Sequence, residues 1–296
     1  MNSLSVQIND YSMMINSKLN KLVPENQVPQ AKIYEAMRYS LLIGGKRIRP
    51  ILALSVCEML GGKIDEVMPF ACAIEMIHAY SLIHDDLPSM DNDDYRRGAL
   101  TNHKVYGEGI AVLAGDALLN KAYEVMASAL SDNINIEKKI KAIQIIANAA
   151  GTEGMIGGQV IDIESEGKNI DYETLRNMHI LKTGALISSS AVVGALIAGA
   201  SEEDIKKVYA YASNLGLAFQ IRDDILSEIG DRAKLGKNPG NDRDRKKATY
   251  ITILGLEESK AFLNKVTEAA VEALKDFGDK AGFLVELANY LLYREN

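Results

Sequence analysis

Cysteine is scarce in this sequence of 296 residues. The only two cysteines, Cys57 and Cys72, lie in apolar segments and form no CxxC pair. The sequence therefore offers no cysteine motif of the kind used for zinc binding or redox chemistry, and we expect the protein to occupy a reducing compartment.

Proline is also sparse, and this bears on domain organisation. The six prolines are scattered, and no segment rich in serine, proline and glycine separates two apolar regions. Because such a linker is expected between domains, we predict a single domain over residues 1–296. With 47% hydrophobic residues the chain can form a large core, which argues against a disordered polymer.

An excess of basic residues is missing too. The formal net charge of −7 argues against nonspecific nucleic-acid binding, although local basic patches can still face anions. The N-terminus lacks a basic segment followed by an apolar one, so no secretory signal is predicted. The longest uncharged stretch, residues 184–200, is shorter than a typical membrane span. We interpret it as a buried helix and expect a cytoplasmic protein without a membrane span.

The sequence is rich in helical periodicity. Cys72, Met76, Ala79 and Ile83 recur at spacings of four, three and four, which places one apolar stripe on a helix face. The pattern returns further along the chain, and the alternation typical of strands is scarce. The sequence therefore predicts an all-α helical bundle. Residues 231–247 break the pattern with glycine, proline and many charges, which predicts a loop or lid.

Two acidic clusters end otherwise apolar helical segments. Asp85, Asp86 and Asp91 form the first, and Asp223 with Asp224 forms the second. Ionised carboxylates that lose hydration need a cation to compensate them. Oxygen ligands favour a hard cation, and Mg2+ commonly binds one or two carboxylates together with substrate phosphates. We therefore predict magnesium and phosphate chemistry in preference to two solvated helix ends.

Three basic clusters could hold phosphate: GGKRIRP at residues 44–50, RRG at residues 96–98, and the charged segment at residues 237–247. Arginine binds phosphate oxygens in pairs, lysine adds a point charge, and neighbouring glycines permit close backbone approach. Each cluster alone is more typical of a solvated turn. His78 lies two helical turns before Asp85 on the same face, which suits a phosphate donor and a core histidine equally well.

Two further segments place polar side chains beside these clusters. Gln220 shares a helix face with Asp223, three residues later. Lys182 and Thr183 precede Gly184, which would let backbone carbonyls open into a cavity, although spacing alone leaves this assignment evenly balanced.

Together, six segments resemble the trans-isoprenyl diphosphate synthases: GGKRIRP, EMIHAYSLIHDDLPSMDNDDYRRG, GGQVID, KTGAL, FQIRDDIL and LGK…KKATY. The resemblance spans about residues 30–255 and is closest to bacterial farnesyl diphosphate synthases, whose first aspartate motif carries the same two-residue insertion. It implies one polyprenyl synthase domain, folded as a helical bundle around a deep central cavity. It also implies a homodimer.

The resemblance implies a reaction and a set of site residues. Isopentenyl diphosphate would condense with dimethylallyl or geranyl diphosphate by Mg2+-assisted ionisation, condensation and proton elimination, giving farnesyl diphosphate. Three Mg2+ ions would be held by Asp85, Asp86, Asp91, Asp223 and Asp224. The allylic diphosphate would be bound by Arg96, Lys182, Thr183, Gln220, Lys237 and Lys247. Isopentenyl diphosphate would be bound by Gly45, Lys46, Arg49, His78 and Arg97. The catalytic set would be Asp85, Asp86, Asp91, Lys182 and Asp223.

Product length and one departure from the family pattern complete the expectations. Tyr80 and Ser81 stand about one turn before Asp85, and Tyr80 resembles the bulky residue that floors the pocket for a fifteen-carbon product. An ordinary packed tyrosine fits equally well, and geranylgeranyl diphosphate synthase is the alternative. Ser227 occupies the place of the usual third aspartate of the second motif, which predicts weaker Mg2+ binding there. A noncatalytic subunit of a heteromeric synthase and a terpene cyclase are the remaining rivals; the retained aspartates argue against the first, and GGKRIRP argues against the second.

Overall fold

The computed structural model describes residues 3–229 and 248–293, and these residues are predominantly helical. The helices are α1 (Ser3–Leu22), α2 (Ala31–Leu42), α3 (Ile48–Met59), α4 (Ile64–Asp85), α5 (Asn102–Tyr106), α6 (Glu108–Ser128), α7 (Ile136–Ala150), α8 (Met155–Ser165), α9 (Tyr172–His179), α10 (Ala185–Ala198), α11 (Glu202–Ile229), α12 (Tyr250–Leu254), α13 (Leu256–Ala273) and α14 (Gly282–Tyr293). A π-helical turn (Ile180–Gly184) joins α9 to α10, and a 3-10 segment (Lys275–Ala281) precedes α14.

A two-stranded hairpin interrupts the helical chain after α4. Strands β1 (Tyr95–Arg96) and β2 (Ala99–Leu100) pair antiparallel, with Arg96 opposite Ala99. Within residues 3–229 and 248–293 this is the only sheet, so the all-α prediction is confirmed. The segment predicted as a loop or lid, residues 231–247, lies outside the described residues.

The centre of the bundle is formed by α3, α4 and α10. These helices are apolar on nearly every side, and a helix of that kind is stable only when other helices cover it. Gly194 of α10 lies so close to the backbone of Ala53 in α3 that a β-carbon there would clash with the Ala53 carbonyl. Helix α6 packs along α4. The core therefore fixes α4, which carries the first aspartate cluster at its C-terminal end.

Two helical stretches, Ile64–Asp85 and Tyr172–Ala198, are long and apolar enough to cross a membrane. Both are mostly buried inside the protein, and core helices of folded proteins pass the same test, so this is weak evidence for a span. The uncharged stretch at residues 184–200 forms the second part of the longer of these helices. Its burial against α3 and α11, and not its length, makes it a core helix.

Candidate active site

The first aspartate cluster lies where α4 ends and the chain folds back on itself. The N–H of Asp91 donates to the carbonyl of Asp85 at 2.8 Å, and the N–H of Asn92 donates to the carbonyl of Leu87 at 2.9 Å. These bonds hold Asp91 beside Asp85 although the two are six positions apart in the sequence. Burial raises the pKa of Asp85; the charge of Lys182 opposes the shift and that of Asp91 adds to it.

Asp86 is turned towards the hairpin and pairs with Arg96. The Nε atom of Arg96 lies 2.7 and 2.9 Å from the two carboxylate oxygens, and a terminal nitrogen lies 2.5 Å from Oδ1. Burial raises the pKa of Asp86 to about 6, although the contact with Arg96 acts in the opposite direction. A predicted metal ligand and a predicted diphosphate ligand are thus direct partners in this structure.

Lys182 approaches the first cluster from the π-helical turn. A π turn widens the helix locally and is frequent at functional sites. Gly158 of α8 lies against the backbone of Lys182 so closely that a β-carbon would clash with it. The Nζ of Lys182 lies 2.5 Å from Oδ2 of Asp162, and its charge also acts on Asp85. Lys182 therefore pairs with Asp162, and its charge reaches Asp85 of the first cluster.

The second aspartate cluster lies near the end of α11. The charge of Asp223 influences Arg49, which places the second cluster near the GGKRIRP segment. Asp224 accepts a hydrogen bond from the N–H of Tyr250 at 2.8 Å, at the start of α12. The hydroxyl of Ser227 donates to the carbonyl of Asp224 at 2.9 Å. Asp224 thus links α11 to the start of α12.

Four of the predicted isopentenyl diphosphate residues, Gly45, Arg49, His78 and Arg97, lie near one another, while Lys46 is exposed on the loop before α3. Arg97 donates to the carbonyl of Gly44, and its guanidinium lies over Gly45, whose φ of +128° favours glycine. The Nε of Arg49 is buried and has no hydrogen-bond partner. Burial first, and then the charges of Arg49 and Arg97, keep the pKa of His78 well below the usual range. This cluster is cationic, and a neutral His78 adds no charge to it.

Arg47, the first arginine of GGKRIRP, does not belong to the cationic cluster predicted to bind phosphate. It is 3% exposed and forms an ion pair with Glu75 at 2.5 Å. Sequence reasoning also left Asp162 without a role, although the GGQVID segment pointed to it. The partnership of Asp162 with Lys182 spans 20 residues, which no local pattern reveals.

Tyr80 and Ser81 lie on α4 between the core and the first cluster. Tyr80 is 6% exposed, and its ring meets that of His84 edge-on at 5.7 Å. Ser81 donates to the carbonyl of His78, within its own helix. Thr183 and Gln220 lie on the elements that carry Lys182 and Asp223. Lys237 and Lys247 lie outside the described residues.

The carboxylates of the first aspartate cluster are oxygen donors available to a magnesium ion. Among residues 3–229 and 248–293, no three His, Cys, Asp or Glu side chains are gathered into a ready metal site. The carboxylates of the first cluster nevertheless suit a hard cation, because they are oxygen donors whose ionised form is disfavoured by burial. A cation placed there would relieve that cost, so these residues fit Mg2+.

The helical bundle with two acidic clusters and flanking cations has the isoprenoid synthase fold. The Polyprenyl synthetase family matches residues 30–282, and the chain belongs to this family, whose members are trans-prenyltransferases.

Individual relatives agree on the reaction type and differ in product. The chain is 49% identical over 288 residues to the heterodimeric geranylgeranyl pyrophosphate synthase large subunit 1 of Arabidopsis thaliana, covering 96% of this chain and 77% of the relative. It is 48% identical over 284 residues to geranylgeranyl diphosphate synthase of Cyanophora paradoxa, covering 96% and 94%. An FPP/GFPP synthase structure from Zymomonas mobilis superposes with a TM-score of 0.88 at 35% identity, covering 98% of each chain. The expected likeness to bacterial farnesyl diphosphate synthases in particular is not what these curated relatives support.

Proposed function

We propose that this trans-prenyltransferase condenses isopentenyl diphosphate with allylic diphosphates to make geranylgeranyl diphosphate. The observation that carries the reaction is the presence of two groups of cations near α4 that have different surroundings. One cluster, with Lys182 and Arg96, lies among carboxylates; the other, with Arg49 and Arg97, is formed mainly by cations. Two substrates that each carry a diphosphate, one bound with metal and one without, account for this difference.

Farnesyl diphosphate is the second candidate product. The names of the curated relatives favour the twenty-carbon chain. Tyr80 favours the fifteen-carbon chain, because a buried aromatic ring one turn below Asp85 would shorten the space available to the growing chain.

The residues of this chain divide the work of the reaction. Asp85, Asp91 and Asp223 would hold Mg2+, which when bound neutralises diphosphate charge. Lys182 and Arg96 would stabilise the departing allylic diphosphate, since charge develops there as the C–O bond breaks. The cationic cluster beside α4 would orient isopentenyl diphosphate so that its alkene reaches the cation. Packed apolar side chains of α4 and α6 would exclude water from that cation.

We also propose that the protein is a cytoplasmic homodimer. In support, α8 carries the exposed apolar residues Ile156, Val160 and Ile163, which lie on one helix face at spacings of four and three. Sedimentation of the purified protein would show about twice the chain mass.

The test of function is product analysis with purified protein, isopentenyl diphosphate, dimethylallyl diphosphate and Mg2+, with EDTA as the control. A twenty-carbon product that disappears with EDTA is expected. A fifteen-carbon product would keep the reaction and select the second candidate. Absence of any prenyl product over a range of Mg2+ concentrations would overturn the proposal and favour a noncatalytic subunit.

A further inference from the structure

Each of the three guanidinium nitrogens of Arg47 has a hydrogen-bond partner inside the protein, and the side chain is buried away from solvent. Its Nε donates to Oδ1 of Asn16 at 3.0 Å, one terminal nitrogen lies 2.5 Å from Glu75, and the other donates to the Leu41 carbonyl at 2.6 Å. These partners come from α1, from α2 and from α4, while Arg47 itself directly precedes α3. One guanidinium group therefore joins four helices at a single point.

The loop that contains Arg47 has an unusual backbone that needs such a point of attachment. Gly44, Gly45 and Arg47 have φ values of +105°, +128° and +50°. A non-glycine residue with positive φ costs free energy that the surrounding contacts must offset. The contacts of Arg47 offset it here, because they fix the side chain of the residue whose backbone is least favourable.

The same loop positions the groups proposed to bind isopentenyl diphosphate. Lys46 and Arg49 stand on either side of Arg47 in the sequence, and Arg97 donates to the carbonyl of Gly44. Burial lowers the pKa of Arg49 to about 10, and the negative charge of Glu75 opposes that shift. Glu75 acts in the same direction on Arg97. It is thus a counter-charge shared by the guanidinium groups of the cluster.

Stability alone does not explain the buried Arg47–Glu75 ion pair. Both side chains are almost completely buried, at 1% and 3% exposure, and an apolar pair of similar size is often as stable as a buried ion pair. A role in positioning explains the pair better, since the rigid planar guanidinium fixes both the distance and the orientation of the groups that it bonds.

We propose that Arg47 and Glu75 are positioning residues for the isopentenyl diphosphate site, holding the loop that carries Lys46 and the first turn of α3 that carries Arg49 in their binding conformation. The inference rests on the proposed function and concerns only the second substrate. Neither residue touches that substrate; each acts through the loop and through the charges beside it.

The experiment measures KM for each substrate separately in the double variant Arg47→Met/Glu75→Leu. We expect KM for isopentenyl diphosphate to rise about tenfold or more, with KM for dimethylallyl diphosphate changed less than about twofold. The milder variant Asn16→Ala, which removes one acceptor of Arg47, should shift the same KM in the same direction by less. It keeps the test informative if the double variant fails to fold.

Two further variants separate positioning from charge and from general destabilisation. Arg47→Lys keeps the charge but cannot reach all the acceptors, so it should also raise KM for isopentenyl diphosphate; a wild-type KM would overturn the positioning role. Lys139→Met removes another buried cation, paired with Asp132 at 2.6 Å between α6 and α7, and should leave both KM values unchanged. Equal rises in both KM values for the double variant would refute the inference while the proposed function stands. An inactive wild-type protein would instead refute the function.

Discussion

Arg96 holds both carboxylate oxygens of Asp86 through Nε, at 2.7 and 2.9 Å, and Asp86 is 3% exposed. Guanidinium–carboxylate pairs of this kind are strong and directional. The pair connects the C-terminal end of α4 to the hairpin that carries Arg96 and Arg97. A diphosphate that binds Arg96 must therefore share the guanidinium with Asp86 or displace the Asp86 carboxylate from it.

This pairing predicts that neighbouring aspartates of the first cluster respond differently to substitution. Asp85→Asn should lower kcat/KM about 100-fold or more and raise the Mg2+ concentration needed for half-maximal rate, because it removes an ionised oxygen ligand. Asp86→Asn should lower kcat/KM about tenfold, mainly through KM for the allylic substrate, because Arg96 loses its charged partner. Mg2+ titrations of initial rates would distinguish them. An equal change in Mg2+ requirement for both variants would show that Asp86 also binds metal.

The sequence predicted the elements of this site better than their pairings. The apolar stripe from Cys72 to Ile83 predicts a helix where α4 is found, and the motifs identify which carboxylates and cations matter. The sequence could not show that Asp86 pairs with Arg96, or that Lys182 pairs with Asp162, since these contacts depend on how the hairpin and the π turn pack. Arg47 illustrates the same limit: its residue type suggested phosphate, and only its burial beside Glu75 shows otherwise.

Product length should respond to the size of the side chain at position 80. Tyr80→Ala would open space one turn below Asp85, so we expect the product distribution to shift to longer chains. Chromatography of the products measures this. Tyr211→Ala is the control, because it also removes a buried tyrosine but belongs to a core cluster that does not include Tyr80. An unchanged product length for Tyr80→Ala would exclude a flooring role.

A carboxylate at position 227 should strengthen Mg2+ binding at the second aspartate cluster. Ser227 is exposed and bonds to the carbonyl of Asp224, so it gives the cluster no ionised oxygen. Ser227→Asp places a carboxylate one helical turn after Asp223, and we expect half-maximal rate at a lower Mg2+ concentration. Ser227→Ala should keep the wild-type requirement. If the aspartate variant needs as much Mg2+ as wild type, position 227 does not reach the metal.

The pH dependence of stability should depend on His179. This side chain is 7% exposed, its Nδ1 has no hydrogen-bond partner, and its ring lies 5.3 Å from that of Tyr250. Burial lowers the pKa of His179 from 6.5 to about 4. Because the unfolded chain then binds more protons between these pH values, the free energy of unfolding should fall as the pH drops from 6.5 to 4.

The full effect of that shift is about 3 kcal/mol for a buried group. His179→Phe replaces the ring with one that cannot take up a proton, so its unfolding free energy should fall less over the same pH range. Because the chain has no tryptophan, urea unfolding followed by circular dichroism of the helices is the suitable measurement. Carboxylates contribute equally to both proteins, so the difference between them isolates His179. Parallel pH profiles for wild type and variant would mean that His179 becomes protonated without cost in the folded state.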